Sequence, residues 1–492
     1  MISAKMRGSL LWSGAALVSL LALLLISEGE PVPGPLAPRQ PFVWNQDERW
    51  EALEASFVAL RGMGCAGLEA RIDSGAAVAA RLIDQLTVGT HGPDDPLLPD
   101  LESTLFAMAP QVAICPDRAR DYLGLVVRMR TALKDQSLRW DMNDLATRQR
   151  AYRLLYGGRA AAEEVLLQMP EGTVPRLIEC TNEPSRTPEA EVLGMRIHSG
   201  DILLSRGGAP ASALIARGND YPGNFSHVAI VYVDPDSSVP QVIESHIEQG
   251  VAIASLPQYL QDIKLRVMVL RLRSDLAAME ADPFLPHRAA ERALKRARER
   301  HIPYDFTMDI QDTSEMFCSE VVSSAYAVLG IDLWMGMSTI SSPGVAAWLA
   351  GFGARNFVTQ EPSDLEYDPQ LRVVAEWRDP DALVKDHIDN AIIGALLEGA
   401  EAGERIPVRW YLLPVVRMVK LYSVILNSMG TVGPIPEGMS STSSLRYTWL
   451  VDRHAAMKAD LLADVERFRR ENGYTPPYWE LLKMARRAKA AF

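Results

Sequence analysis

A chain of 492 residues with 48% apolar and 23% charged content can build two or three packed domains, and this composition excludes general disorder. A net charge of −12 argues against nucleic acid as a partner, because phosphate binding needs a basic face. No internal repeat of fixed period and no long low-complexity tract breaks the chain.

In chain order, Lys5 and Arg7 precede a charge-free run at residues 9–26, "SLLWSGAALVSLLALLLI". Its length, its basic flank and the missing A-x-A cleavage site read as an uncleaved anchor, with a cleaved signal peptide as the alternative. Lys5 and Arg7 would stay in the cytoplasm, which puts the body of the protein in the periplasm or cell envelope. Residues 27–44, with Pro31, Pro33, Pro35, Pro38 and Pro41, read as an extended linker. From about residue 45 to 185 the apolar spacing predicts a helical domain, suited to a scaffold or partner-binding role.

The texture changes near residue 190. "DILLSR", "SHVAIVYV", "QVIESH" and "RVMVLRL" read as strands separated by Gly, Pro, Asn and Asp, and "PHRAAERALKRARER" and "SEVVSSAYAVLG" as helices. Residues 190–375 are therefore expected to form an α+β domain with an antiparallel sheet. Helices return over 380–492. One of them, within "RWYLLPVVRMVKLYSVILNSMG", reads either as a core helix or as a helix lying along a membrane; core packing is the commoner case.

The cysteines are Cys65, Cys115, Cys180 and Cys318. Their spacing fits no metal motif, and neither metal nor cofactor is expected. An oxidising compartment permits one disulfide among the first three, with the pairing open. Cys318 stands at a predicted helix start, where free N–H groups lower a thiol pKa and stabilise an oxyanion. A thiol nucleophile needs a base, and His227 begins a predicted strand. Glu244 and His246 share a face of the next strand. If the two strands form a hairpin that sets Glu244 opposite Ala229, His246 falls opposite His227, and either residue could orient the imidazole. Tyr304, fourteen residues before Cys318, is a candidate oxyanion donor.

"PYDF…FCSEVVSSAYAVLGIDL" resembles the nucleophile segment of NlpC-type cell-wall cysteine peptidases, and "GDILLSR…SHVAIVYVD…VIES" resembles their histidine segment. Here the histidine segment comes first. That order is similar to the circularly permuted papain-like amidase family of the YaeF/YiiX type, whose relatives include lecithin–retinol acyltransferase-like enzymes. The resemblance implies a permuted papain-like fold over roughly residues 195–335. It implies Cys318 as nucleophile, His227 as base, Glu244 as third residue and Tyr304 as the oxyanion tyrosine. Asp201 matches the family's "GD" and is expected to cap the sheet start. The expected activity is amide hydrolysis through an acyl-enzyme, on a peptide substrate such as a peptidoglycan stem peptide. A lipid-directed acyltransferase or amidase is the runner-up, and a non-catalytic membrane-anchored scaffold is the alternative from another class.

Overall fold

The computed structural model describes residues 24–26, 33–38, 41–44, 47–261 and 264–491; the expected anchor at 1–26 lies almost wholly outside them. No helix among the described residues is long and apolar enough to cross a membrane.

Five helices open the described chain: α1 (Asp47–Leu60), α2 (Glu69–Thr87), α3 (Leu97–Ile114), α4 (Ala119–Ser137) and α5 (Leu145–Leu167). They close on one core that includes Ile72, Phe106, Tyr122, Met129 and Leu155. Asp144 caps α5 by accepting from the Thr147 N–H at 2.8 Å. A Cys65–Cys115 disulfide ties the end of α1 to the end of α3.

The central sheet has seven strands, all antiparallel: β1 (Leu177–Glu179), β2 (Ile202–Gly207), β3 (His227–Val233), β4 (Pro240–His246), β5 (Gly250–Ser255), β6 (Lys264–Leu272) and β7 (Leu371–Arg378), in the order β1-β7-β6-β2-β3-β4-β5. Strands β1, β5 and β7 went unseen in the sequence. β1 follows the helical region and joins the sheet edge, so the sheet recruits a strand from within residues 45–185. Alternation sets Ile202, Leu204, Val228, Ile230 and Ile243 on one face, packed against α8 (Leu285–Glu299) and α9 (Cys318–Ala327). Two shorter helices, α6 (Pro210–Arg217) and α7 (Leu256–Gln261), lie between strands in the chain.

The C-terminal helices α11 (Leu383–Glu401), α13 (Ser441–Asn472) and α14 (Tyr478–Ala490) share a core with α6 and α10 (Pro343–Ala350), built from Leu214, Trp348, Ile392, Leu461 and Leu481. Trp50 of α1 stacks on Trp479 of α14 with ring centroids 5.8 Å apart, so the two helical regions meet. Buried ion pairs join helices to sheet. Arg130 and Arg159 pair with Glu376 on β7, Arg159 also with Glu366, and Arg266 on β6 with Glu163 of α5 and Asp386 of α11.

Helix α12 (Leu413–Ser428) departs from the core-packing expectation. Only Leu413 and Ser423 of it are buried, while Met418 and Leu421 are 67% and 63% exposed. Apolar spacing identifies a helix; it does not say which side of the helix meets the rest of the chain.

Candidate active site

Cys318 is the first residue of α9, and Phe317 before it is extended. The Phe317 N–H donates to the Glu320 carboxylate at 2.9 Å, which closes the first turn and fixes where the helix begins. The segment leading to Cys318 is tied to the sheet. Ser245 of β4 donates its hydroxyl to the Met316 carbonyl at 2.6 Å, and the Val251 N–H of β5 donates to the Ile302 carbonyl at 2.9 Å. Gly250 has φ +69, and a Cβ there would fall 2.1 Å from the Ile302 carbonyl oxygen.

The hairpin register sets Ala229 opposite Glu244 and continues toward His227 and His246 at its open end. Glu244 is buried, and its carboxylate takes both imidazoles. His227 Nε2 lies 2.7 Å from one oxygen, and His246 Nε2 lies 3.0 Å from the other. The rings of His227 and His246 stack with centroids 5.3 Å apart. Burial of Glu244 works against its charge, but the two imidazoles hold its carboxyl well below the usual range. Burial lowers the His227 pKa against the opposing pull of Glu244, whereas at His246 the Glu244 carboxylate outweighs burial and raises it.

Cys318 is buried in one core with Val228 and Ile230 of β3. Burial pushes the thiol up to about 11, against the N–H groups of Val228 and Ser319, which favour the thiolate. His227 Nδ1 has no hydrogen-bond partner among the described residues, and no hydrogen bond joins the His227 ring to the sulfur. Tyr304 is half-buried, with its ring edge-on to Phe306 at 5.0 Å; burial first, and then the nearby Cys318, raise its pKa well above the ordinary value. The structure thus gathers His227, Glu244 and His246 tightly on the sheet face that carries Ala229 and Val231, while Cys318 and Tyr304 pack with Val228 and Ile230 of the opposite face.

Asp201 is structural. It accepts from the His198 N–H at 2.7 Å and takes both arms of Arg271 at 2.8 and 2.7 Å. Two neighbours of the site carried no signal in the sequence. Glu361 is buried near Cys318, and burial raises its carboxyl to about 8. Ser205 pairs with His227 across β2 and β3, fully buried, with a hydroxyl that has no partner among the described residues. His227, Glu244 and His246 could also hold a metal ion, since one ligand atom from each lies within 4.8 Å of the others. An ion there would take the lone pairs that His227 needs as a base.

Residues 196–375 match the family model described as permuted papain-like amidase enzyme, YaeF/YiiX, C92 family. A solved structure, that of the metalloprotein yiiX from Escherichia coli O157:H7, shares 18% identity with the chain; the match covers 37% of this chain and 98% of that one, with a TM-score of 0.27. No curated protein matches. Over residues 196–375 the chain is thus similar to the permuted papain-like amidases of the YaeF/YiiX type, a family of amidase enzymes.

Proposed function

We propose that the chain is a cell-envelope cysteine amidase in which Cys318 is the nucleophile, His227 the general base, Glu244 its orienting carboxylate and Tyr304 an oxyanion donor. One observation carries the reading: His227 presents Nε2 to the buried Glu244 carboxylate, within the same matched segment, 196–375, that sets Cys318 at the start of α9. With Nε2–H donated to Glu244, Nδ1 holds the lone pair that a base needs. At rest both partners are neutral, because burial raises the thiol and lowers the imidazole.

Catalysis then requires a rearrangement of the first residues of β3 that brings His227 Nδ1 to the thiol when substrate binds. The Sγ–H proton passes to Nδ1, and Glu244 stabilises the imidazolium. The thiolate attacks the amide carbonyl. The Cys318 N–H at the start of α9 and the Tyr304 hydroxyl hold the oxyanion. The imidazolium protonates the leaving amine, and water, deprotonated by His227, releases the acid from Cys318.

An envelope location agrees with the charge-free run at 9–26 and with the Cys65–Cys115 disulfide, since such bonds persist in oxidising compartments. Peptidoglycan stem peptides are the substrate proposed. The exposed apolar face of α12 favours a second reading, a lipid-directed amidase or acyltransferase. Incubation of the native protein and of Cys318→Ala with purified peptidoglycan and with phospholipid, read by mass spectrometry, separates the two. Cleavage of peptidoglycan amides that is lost in Cys318→Ala supports the first reading. Turnover of phospholipid alone moves the assignment to the second. Turnover that survives Cys318→Ala but stops with a chelator would assign the site to a metal on His227, Glu244 and His246.

A further inference from the structure

Helix α12 is built inside out. Tyr411, just before it, then Val415, Met418, Tyr422 and Ile425 within it, and Met429 after it recur at helical spacing, and all six are exposed. On the inner side Leu413 and Ser423 are buried: the Ser423 hydroxyl accepts from the Ile435 N–H at 3.0 Å, and a Cβ at Gly433 would sit 2.5 Å from Ser423 Cα. The backbone after the helix thus clamps it with its apolar face outward. A stripe of this extent on a water-facing helix marks a surface that something covers.

Three features identify the cover. Residues 409–429 hold Arg409, Arg417 and Lys420 and no acidic residue, in a chain of net charge −12. Trp410, Tyr411 and Tyr422, at 59%, 60% and 55% exposure, have the amphipathic rings that settle at a membrane–water boundary. Arg417 also donates to the carbonyl of Ile26, the last residue of the charge-free run 9–26. A bilayer that holds that run therefore meets α12 beside the point where the chain leaves it.

We infer that α12 lies in the headgroup layer of an anionic bilayer, its apolar stripe toward the acyl chains. The inference rests on the anchor reading of residues 9–26 and goes beyond the chemistry of Cys318. It also sets the membrane near the site. Lys420 donates to the carbonyls of Pro436 and Glu437, both at 2.7 Å, and Glu437 pairs with His301 at 2.8 Å, three residues before Tyr304. An amide substrate tethered to the membrane surface would reach Cys318 from this side.

Spin labels test it on the full chain reconstituted into phosphatidylglycerol–phosphatidylcholine vesicles. Cysteines are introduced singly as Met418→Cys, Tyr422→Cys, Leu17→Cys and Val239→Cys, in a background carrying Cys180→Ser and Cys318→Ser. Oxygen and a nickel chelate serve as the relaxing agents. The expected result is a shift from nickel-dominated relaxation at position 239 to oxygen-dominated relaxation at 418 and 422, with position 17 deeper still. Nickel access at 418 and 422 with position 17 in lipid overturns the inference and leaves the anchor standing. Oxygen access at 418 and 422 with position 17 in water keeps the docking and overturns the anchor. Shielding of 418 and 422 from both agents overturns it in favour of a protein cover, either another part of this chain or a second copy.

Discussion

At the scale of single residues, the chemistry turns on one carboxylate. Glu244 serves two imidazoles, and losing its charge removes what orients His227 and what would stabilise its protonated form. Glu244→Gln should lower kcat by roughly 10²- to 10⁴-fold, the range of a general-base contribution, with KM nearly unchanged in steady-state assays. The pH dependence follows from signs. His227 titrates below its ordinary 6.5 and would be neutral, as the proposed base must be, above that point, so kcat/KM should fall on an acid limb below pH 6.5. Glu244 titrates below its ordinary 4.5, so its ion pairs add stability that is present above pH 4.5 and lost as pH falls through the folded value. Urea unfolding should show Glu244→Gln less stable by about 1–3 kcal/mol at pH 7, with the gap narrowing as pH falls below 4.5. His227 and Cys318 were legible in the sequence because one began an alternating strand and the other a helix. Glu361 was not, because nothing local distinguishes an acid that folding buries beside a thiol from one in water.

At the scale of elements, the site depends on how β4 and β5 hold the segment between α8 and α9. Gly250 is the tightest point, with positive φ and the Ile302 carbonyl where a Cβ would be. Gly250→Ala should cost about 1–3 kcal/mol from backbone strain alone and push Ile302 and Pro303 away from β5. Tyr304 would move with them. The expected outcome is a fall in thermal midpoint together with slower labelling of Cys318 by a thiol probe; unchanged labelling in the folded variant would separate Tyr304 from the site. The hairpin register could be stated only conditionally from the sequence, because both faces of β3 are apolar and the fold buries both. β7 escaped notice although it pairs along most of β6, because its alternation is broken by a bulge between Val373 and Ala375.

For the whole molecule, a buried ionic layer joins the N-terminal helices to the sheet. Arg159 holds Glu366 and Glu376, all three buried, and Glu376 also takes Arg130. Arg159→Met would leave two buried carboxylates short of a partner. A loss of about 3–5 kcal/mol is expected in chemical denaturation, with the helical region and the sheet unfolding as one unit if the layer couples them. The Cys65–Cys115 bridge closes a span of 50 residues, and loop entropy assigns it about 4 kcal/mol. Reduction should lower the melting temperature without touching Cys318 chemistry, because the bridge lies within the helical region.

The sequence by itself determined the local periods: a charge-free run, helical flanks, alternating strands that carry His227 and Glu244, and a helix starting at Cys318. Each follows from apolar spacing or from a residue that stops or caps an element, and needs no knowledge of distant neighbours. Tertiary structure alone decided which cysteines pair, that one carboxylate binds both histidines, that β1 leaves the helical region to edge the sheet, and that α12 turns its apolar side away from the core. Periodicity states which residues share a face; only packing against the rest of the chain settles whether that face meets protein or something else.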